Sequence, residues 1–163
     1  MIDLHVFSEI SMQGGPGVFV ACLTPASRGR LRLTSADPAA APSIDHGLLT
    51  DPDGHDQAVL RDGVDLARRF LADEAFAALV TEVEPGPDVE TDAAIAAGVI
   101  HYWHPVGTCA MGDVTDADGR VRGVDGLLVA DASLMPRTVR ATTNLPTVVI
   151  GDTVASMLVA GAG

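Results

Sequence analysis

Gly126-Leu127-Leu128-Val129-Ala130-Asp131 is a short apolar run closing on a carboxylate, the pattern of a strand buried on both faces of a parallel sheet. A ligand site is natural at the end of such a strand. Beyond it, Val148, Val149, Val154, Ala155, Leu158 and Val159 suit a helix over residues 145–159 packed across that strand, with Pro146 acceptable in its first turn. One strand and one helix cannot stand alone as a sheet. The remainder of a doubly wound sheet is therefore expected upstream of this chain.

Working back toward the amino terminus, residues 18–23 form a β-branched and apolar segment, and Arg30-Leu31-Arg32-Leu33-Thr34 alternates with period two. These are expected to be two strands joined by a turn through Thr24-Pro25-Ala26-Ser27-Arg28-Gly29. Pro38, Pro42, Pro52, Gly47 and Gly54 then punctuate an irregular connection. Between 56 and 71 the apolar residues Val59, Leu60, Val64, Ala67, Phe70 and Leu71 fall three or four apart, which predicts an amphipathic helix. Asp73-Glu74 opens a short helical stretch to Leu79, Glu84-Pro85-Gly86-Pro87 breaks the chain, and Thr91 or Asp92 is expected to cap a helix through about Ile100. The fold class that results is α+β over residues 1–122, an antiparallel sheet with helices, followed over 123–163 by the last strand and helix of a Rossmann-like domain.

Composition sets outer bounds. A chain of 163 residues falls within the usual size of one domain and can bury roughly 70% of the surface of its unfolded form. Ten basic against 22 acidic residues leave a formal charge of -12, which repels nucleic acid and anionic membrane. Cys22 and Cys109 are far apart and show no zinc-ligand spacing, so no metal site is expected and a reducing cytoplasm fits best. The first residues lack a signal-peptide pattern, and the apolar run from Leu145 is broken by Asp152 and Ser156, short of the roughly 18 to 20 uninterrupted apolar residues of a spanning helix.

The stretch richest in chemistry is His104-Pro105-Val106-Gly107-Thr108-Cys109-Ala110-Met111-Gly112. An imidazole beside Pro and Gly sits on a constrained backbone and ordinarily titrates close to neutrality, as proton abstraction requires. A lone histidine is nevertheless more often structural than catalytic. Asn144, two residues before Pro146 at a helix start, is by itself an ordinary N-cap.

Read together, that stretch, Val124-Asp125-Gly126-Leu127-Leu128-Val129-Ala130-Asp131-Ala132-Ser133-Leu134-Met135-Pro136 and Thr143-Asn144-Leu145-Pro146-Thr147 resemble the glucose-methanol-choline oxidoreductases. That family carries H-P-x-G-T-C-x-M-G, G-L-x-V-x-D-A-S-x-M-P and N-x-P-T segments in this order. The resemblance extends upstream through Leu23-Thr24-Pro25-Ala26-Ser27-Arg28-Gly29-Arg30-Leu31-Arg32-Leu33 and Gly63-Val64-Asp65-Leu66-Ala67-Arg68-Arg69. It implies FAD as cofactor and an alcohol as substrate. His104 would be the base that takes the hydroxyl proton while hydride passes to flavin N5, and Asn144 would hydrogen-bond the substrate oxygen. It also implies that Asp131 and Ala132 lie along the ribityl and pyrophosphate chain, and that the helix start at Asn144, Pro146 and Thr147 faces the flavin pyrimidine ring. Thr108 and Cys109 are read as packing residues. Ala110 departs from the family pattern, where Arg or Lys is usual.

The family's G-x-G-x-x-G loop is missing, and Gly14-Gly15-Pro16-Gly17 is no substitute because Pro16 interrupts it. The implied partner is an amino-terminal FAD-binding half, on a separate chain or as the remainder of a longer one. Two alternatives stay open: a non-catalytic remnant or binding module without FAD, and a hydroxynitrile lyase on the same scaffold. Asp116-Ala117-Asp118-Gly119 is read as a plain turn, since calcium-loop numbering would put Val114 at the first ligand position. His101 is read as packing or surface.

Overall fold

Leu4, Val6 and their alternate neighbours His5 and Phe7 make a period-two segment followed by glycine-rich sequence. The computed structural model, which describes residues 3–10, 16–77, 85–86 and 88–161, forms from it strand β1 (Leu4–Ile10), antiparallel to β2 (Pro16–Cys22) with Leu4 opposite Cys22 and Phe7 opposite Phe19. The Phe7 and Phe19 rings stack at 5.5 Å. Residues 18–23 are thus largely a strand, as expected, but its partner is β1 and not residues 30–34. The turn expected between them is diverted: the buried Asp56 carboxylate accepts the N–H groups of Ala26 at 2.7 Å and Ser27 at 3.0 Å. Donors that could have closed a hairpin are held on the following helix instead.

That helix is α1 (His55–Leu71), where expected from the apolar spacing. Gly54 precedes it in the left-handed region. Gly63 faces the sheet, and a Cβ there would run into Val20 Cγ1 and come within 2.6 Å of Leu4 Cδ1. The Gly63→Ala substitution would gain about 0.5–1 kcal/mol of backbone propensity in the helix, yet overpacking against the stiff Val20 side chain costs about 1–3 kcal/mol. A net loss of stability, read as a lower urea midpoint, is the expected outcome.

The short helix α2 (Glu74–Ala77) follows, its expected end at Leu79 lying outside the described residues. In α3 (Thr91–Gly98) the cap is Glu90, neither Thr91 nor Asp92: its carboxylate accepts the N–H groups of Asp92 and Ala93. Both expected caps are engaged from α1. Arg68 Nη1 donates to Thr91 Oγ1 at 2.7 Å, and Arg61 holds Asp92 in a two-pronged pair at 2.8 and 2.6 Å. Hydrogen bonding from Arg61 lowers the Asp92 carboxyl from its ordinary value.

These elements belong to one compact unit, Met1–Gly29 with His46–Ile100; Arg30–Asp45 with His101–Gly163 form a second. In the second, β3 (Arg30–Arg32) pairs antiparallel with β4 (Ser43–Asp45), Leu31 opposite Ile44. The stretch expected to be an irregular connection therefore contains a strand, too short to show a period.

Residues 126–131 are not the buried parallel strand expected. Val121 N–H donates to the Leu127 carbonyl and Val129 N–H to the Gly119 carbonyl, both at 2.9 Å, around an antiparallel bridge between Arg120 and Leu128. Leu127 is half exposed. A buried parallel strand needs a ladder on each side, and among the described residues the flank is 119–121. Gly119, at φ 80°, has no room for a Cβ beside the Val129 carbonyl. Asp116 Oδ1 accepts the N–H groups of Asp118 and Arg120, a turn as expected.

The last helix, α4 (Asn144–Gly161), lays Val154 beside Leu134 in the core of this unit. Leu145, Val148, Val149 and Val159 remain 61–78% exposed. With mean hydropathy 1.3, α4 is long and apolar enough to cross a bilayer by length and composition, contrary to the expectation drawn from Asp152 and Ser156.

Candidate active site

His104 emerges from a turn held in an unfavourable conformation. Tyr102 and Trp103, neither of them glycine, lie consecutively in the left-handed region at φ 53° and 52°, at about 1–2 kcal/mol each. Such strain persists where surrounding contacts impose it, and it concentrates at functional sites. The imposing contacts come from His101, whose Nδ1 accepts the Trp103 N–H at 3.0 Å and whose carbonyl accepts the His104 N–H at 3.3 Å. The rings of Tyr102 and His104 meet edge to face at 4.5 Å. His101 is therefore a brace for the turn that presents His104, a role its spacing in the sequence did not disclose.

Past Pro105 the chain is clipped to the Asp131–Leu134 region one amide at a time. Gly107, Cys109 and Met111 donate their N–H groups to the carbonyls of Ala132, Ser133 and Leu134 at 3.3, 3.0 and 3.0 Å. Gly107 is at φ 85°, and a Cβ would lie 3.1 Å from the Met135 carbonyl, so the approach suits glycine. Below the clip, fully buried Thr115 donates its hydroxyl to the Cys109 carbonyl at 3.0 Å.

The receiving carbonyls belong to a 3₁₀ turn, Ala132–Leu134, capped by Asp131, whose Oδ1 accepts the Ser133 N–H at 2.8 Å and the Ser133 hydroxyl at 2.5 Å. At the start of α4 the Thr143 carbonyl accepts both the N–H of Thr147, at 3.0 Å, and its hydroxyl, at 2.7 Å. Thr143 is thus the residue ahead of the helix and Asn144 lies within its first turn. The carboxamide of Asn144 does not cap and makes no hydrogen bond among the described residues. The N–H groups of Asn144 and Leu145 have no intrahelical acceptor, and Pro146 has no N–H.

An open groove of about 420 Å³ joins these parts, lined by Trp103, His104, Pro105, Ala132, Thr143, Asn144, Thr147 and Val148. Of the residues expected at a site, it brings together His104, Ala132, Asn144 and Thr147; Asp131 and Pro146 are not among its lining. Trp103, 64% exposed, and Thr143 were missed. The aromatic beside the histidine, and a threonine immediately ahead of a helix, were the signals available.

Such a groove presents an imidazole, a carboxamide and the electropositive end of a helix to one space. That combination suits a site that takes a proton, orients a polar oxygen and stabilises an anion. Comparison with known proteins bears on the family of the chain. The model of the GMC oxidoreductase family matches residues 25–151. Over 85% of its length the chain is 39% identical to the oxygen-dependent choline dehydrogenase of Chromohalobacter salexigens, and over 93% it is 36% identical to an alcohol dehydrogenase [acceptor] of Pseudomonas putida. The structure superposes on pyridoxine 4-oxidase from Mesorbium loti with a TM-score of 0.78 at 27% identity, covering 87% of this chain and 29% of that one. The chain belongs to the GMC oxidoreductase family. It spans 26% and 29% of the two curated relatives' lengths.

Proposed function

We propose that this chain is the substrate-side, carboxy-terminal part of an FAD-dependent oxidoreductase acting on the CH–OH group of an alcohol. The observation that carries this reading is the groove in which His104, Asn144, Ala132 and the start of α4 meet. In it His104 takes the hydroxyl proton, and the carboxamide of Asn144, free of any capping role, orients the oxygen. Flavin, when bound, supplies the hydride acceptor. The groove fits the reactive edge of that cofactor: the free N–H groups at the α4 start suit the negative charge that gathers on the pyrimidine side. Thr147 contributes less as a donor, since its amide and hydroxyl are both directed to Thr143. Asp131 and Ala132 would lie toward the ribityl and pyrophosphate chain.

On this reading residues 1–122 form the substrate domain and 123–163 the terminal elements of the FAD-binding domain. The run 126–131 becomes a parallel strand once the missing sheet supplies its neighbours, and the exposed apolar residues of α4 are covered by that sheet and not by lipid. The two free cysteines support a reducing, cytoplasmic setting.

Complementation tests the proposal. Purified alone, the chain is expected to retain no FAD; combined with an amino-terminal half bearing G-x-G-x-x-G, it should become yellow and reduce its flavin on addition of an alcohol. Stoichiometric flavin on the isolated chain would overturn the division of labour. Release of cyanide from a hydroxynitrile, without flavin bleaching, would replace oxidation by lyase chemistry.

A further inference from the structure

Where β2 ends and α1 begins, three side chains of metal-ligating type converge. Cys22 is the last residue of β2, and His55 and Asp56 are the first two of α1. One ligand atom from each, the thiol Sγ, an imidazole nitrogen and a carboxylate oxygen, lies within 4.8 Å of the other two. We propose that Cys22, His55 and Asp56 form a binding site for a borderline divalent cation of the zinc class.

The donor set selects the metal. A thiolate, an imidazole and a carboxylate match the ligands of tetrahedral zinc, whereas calcium and magnesium take oxygen. Three protein ligands leave the fourth position for water. Tetrahedral zinc holds its ligand atoms roughly 3.5 Å apart, so closure requires side-chain movements of about 1 Å. Asp56 is already oriented as a ligand should be, because Ala26 and Ser27 each donate an N–H to one of its oxygens and leave further lone pairs on both. The His55 imidazole makes no hydrogen bond among the described residues and is partly buried.

Charge favours the same ion. The amino-terminal end of α1 opposes a cation with the equivalent of about half a positive charge, but Asp3, Asp51 and Asp56 all act on Cys22 with negative charge. Their field adds to burial, which is the larger effect and which the hydrogen bond to the Thr24 backbone only partly opposes; together they push the thiol up to about 11. On binding, the S–H bond breaks, a sulfur–zinc bond forms, and the proton leaves to solvent. The sequence shows no such site because Cys22 lies far along the chain from the adjacent His55 and Asp56 and is brought to them by the packing of α1 on β2.

The test uses the complete flavoenzyme, both halves together, dialysed to equilibrium against buffered Zn²⁺, with metal counted by plasma mass spectrometry and its neighbours read by X-ray absorption. One zinc per chain is expected, with a single sulfur at about 2.3 Å. Cys22→Ser and His55→Gln should each weaken binding at least tenfold, since loss of even an outer-shell partner costs about 10–100-fold. Cys109→Ser should bind as the parent does. Circular dichroism and flavin content establish that each variant is folded, and should Cys22→Ser fail this check, His55→Gln carries the decision. Substoichiometric zinc, a shell without sulfur, or undiminished binding by the folded variants would overturn the site. Flavin reduction by alcohol, measured on the same samples, keeps this outcome separate from that of the proposed oxidoreductase activity.

Discussion

Replacing His104 by alanine in the proposed complete flavoenzyme should slow reduction of the flavin by alcohol by about 10²- to 10⁴-fold, the usual effect of losing a positioned general base. FAD should stay bound, because on the proposed reading His104 faces the substrate and takes no part in holding the pyrophosphate. Asn144→Ala should cost less. One substrate hydrogen bond is worth about 0.5–1.5 kcal/mol net, which converts to about 2- to 13-fold in rate, more if the bond tightens in the transition state. Anaerobic stopped-flow mixing isolates this half-reaction from reoxidation. Parent-like reduction by His104→Ala between pH 6 and 9, at full FAD occupancy, would remove the base assignment and leave His104 a structural residue.

The second large effect is on stability. Leu134 is 2% exposed and sits in the capped turn whose carbonyls receive the amides of residues 107, 109 and 111. Leu134→Ala should destabilise the complex by about 2–5 kcal/mol, the lost burial adding to a cavity that rigid neighbours cannot close. Gly119, at positive φ against the Val129 backbone, and Val154 on α4 are those neighbours. Urea unfolding followed by flavin release would report the change as a lower midpoint with an unaltered slope. A loss below about 1 kcal/mol would mean that the site collapses readily.

What the sequence discloses depends on how local its cause is. Helix α1 is legible because its spacing of three and four is written within its own residues. The pairing of β2 is not, because the outcome turns on Asp56 capturing the amides of Ala26 and Ser27 from well along the chain. The Glu90 cap is hidden twice over: glutamate is not a favoured N-cap, and Thr91 and Asp92 are claimed by arginines of another helix. Residues 126–131 carry a strand pattern, yet among the described residues their flank is 119–121, and on the proposed reading the rest of the ladder belongs to the FAD-binding half. Among site residues, His104 and Asn144 are legible only through their motifs. Trp103 reaches the groove through a left-handed backbone, which a tryptophan in the sequence does not advertise.

Helix α4 bears on how the protein is made. In one polypeptide, synthesis begins with the proposed FAD-binding half, and domains fold in that order. The sheet would then be waiting when Leu145, Val148, Val149 and Val159 leave the ribosome, and these side chains would spend little time in water. Supplying the halves as separate polypeptides removes that order. Copies of α4 then meet one another as readily as they meet the sheet, and self-association competes with docking. The yield of soluble flavoenzyme would be decided by which encounter comes first, so expressing the FAD-binding half ahead of this chain should recover more of it than the reverse.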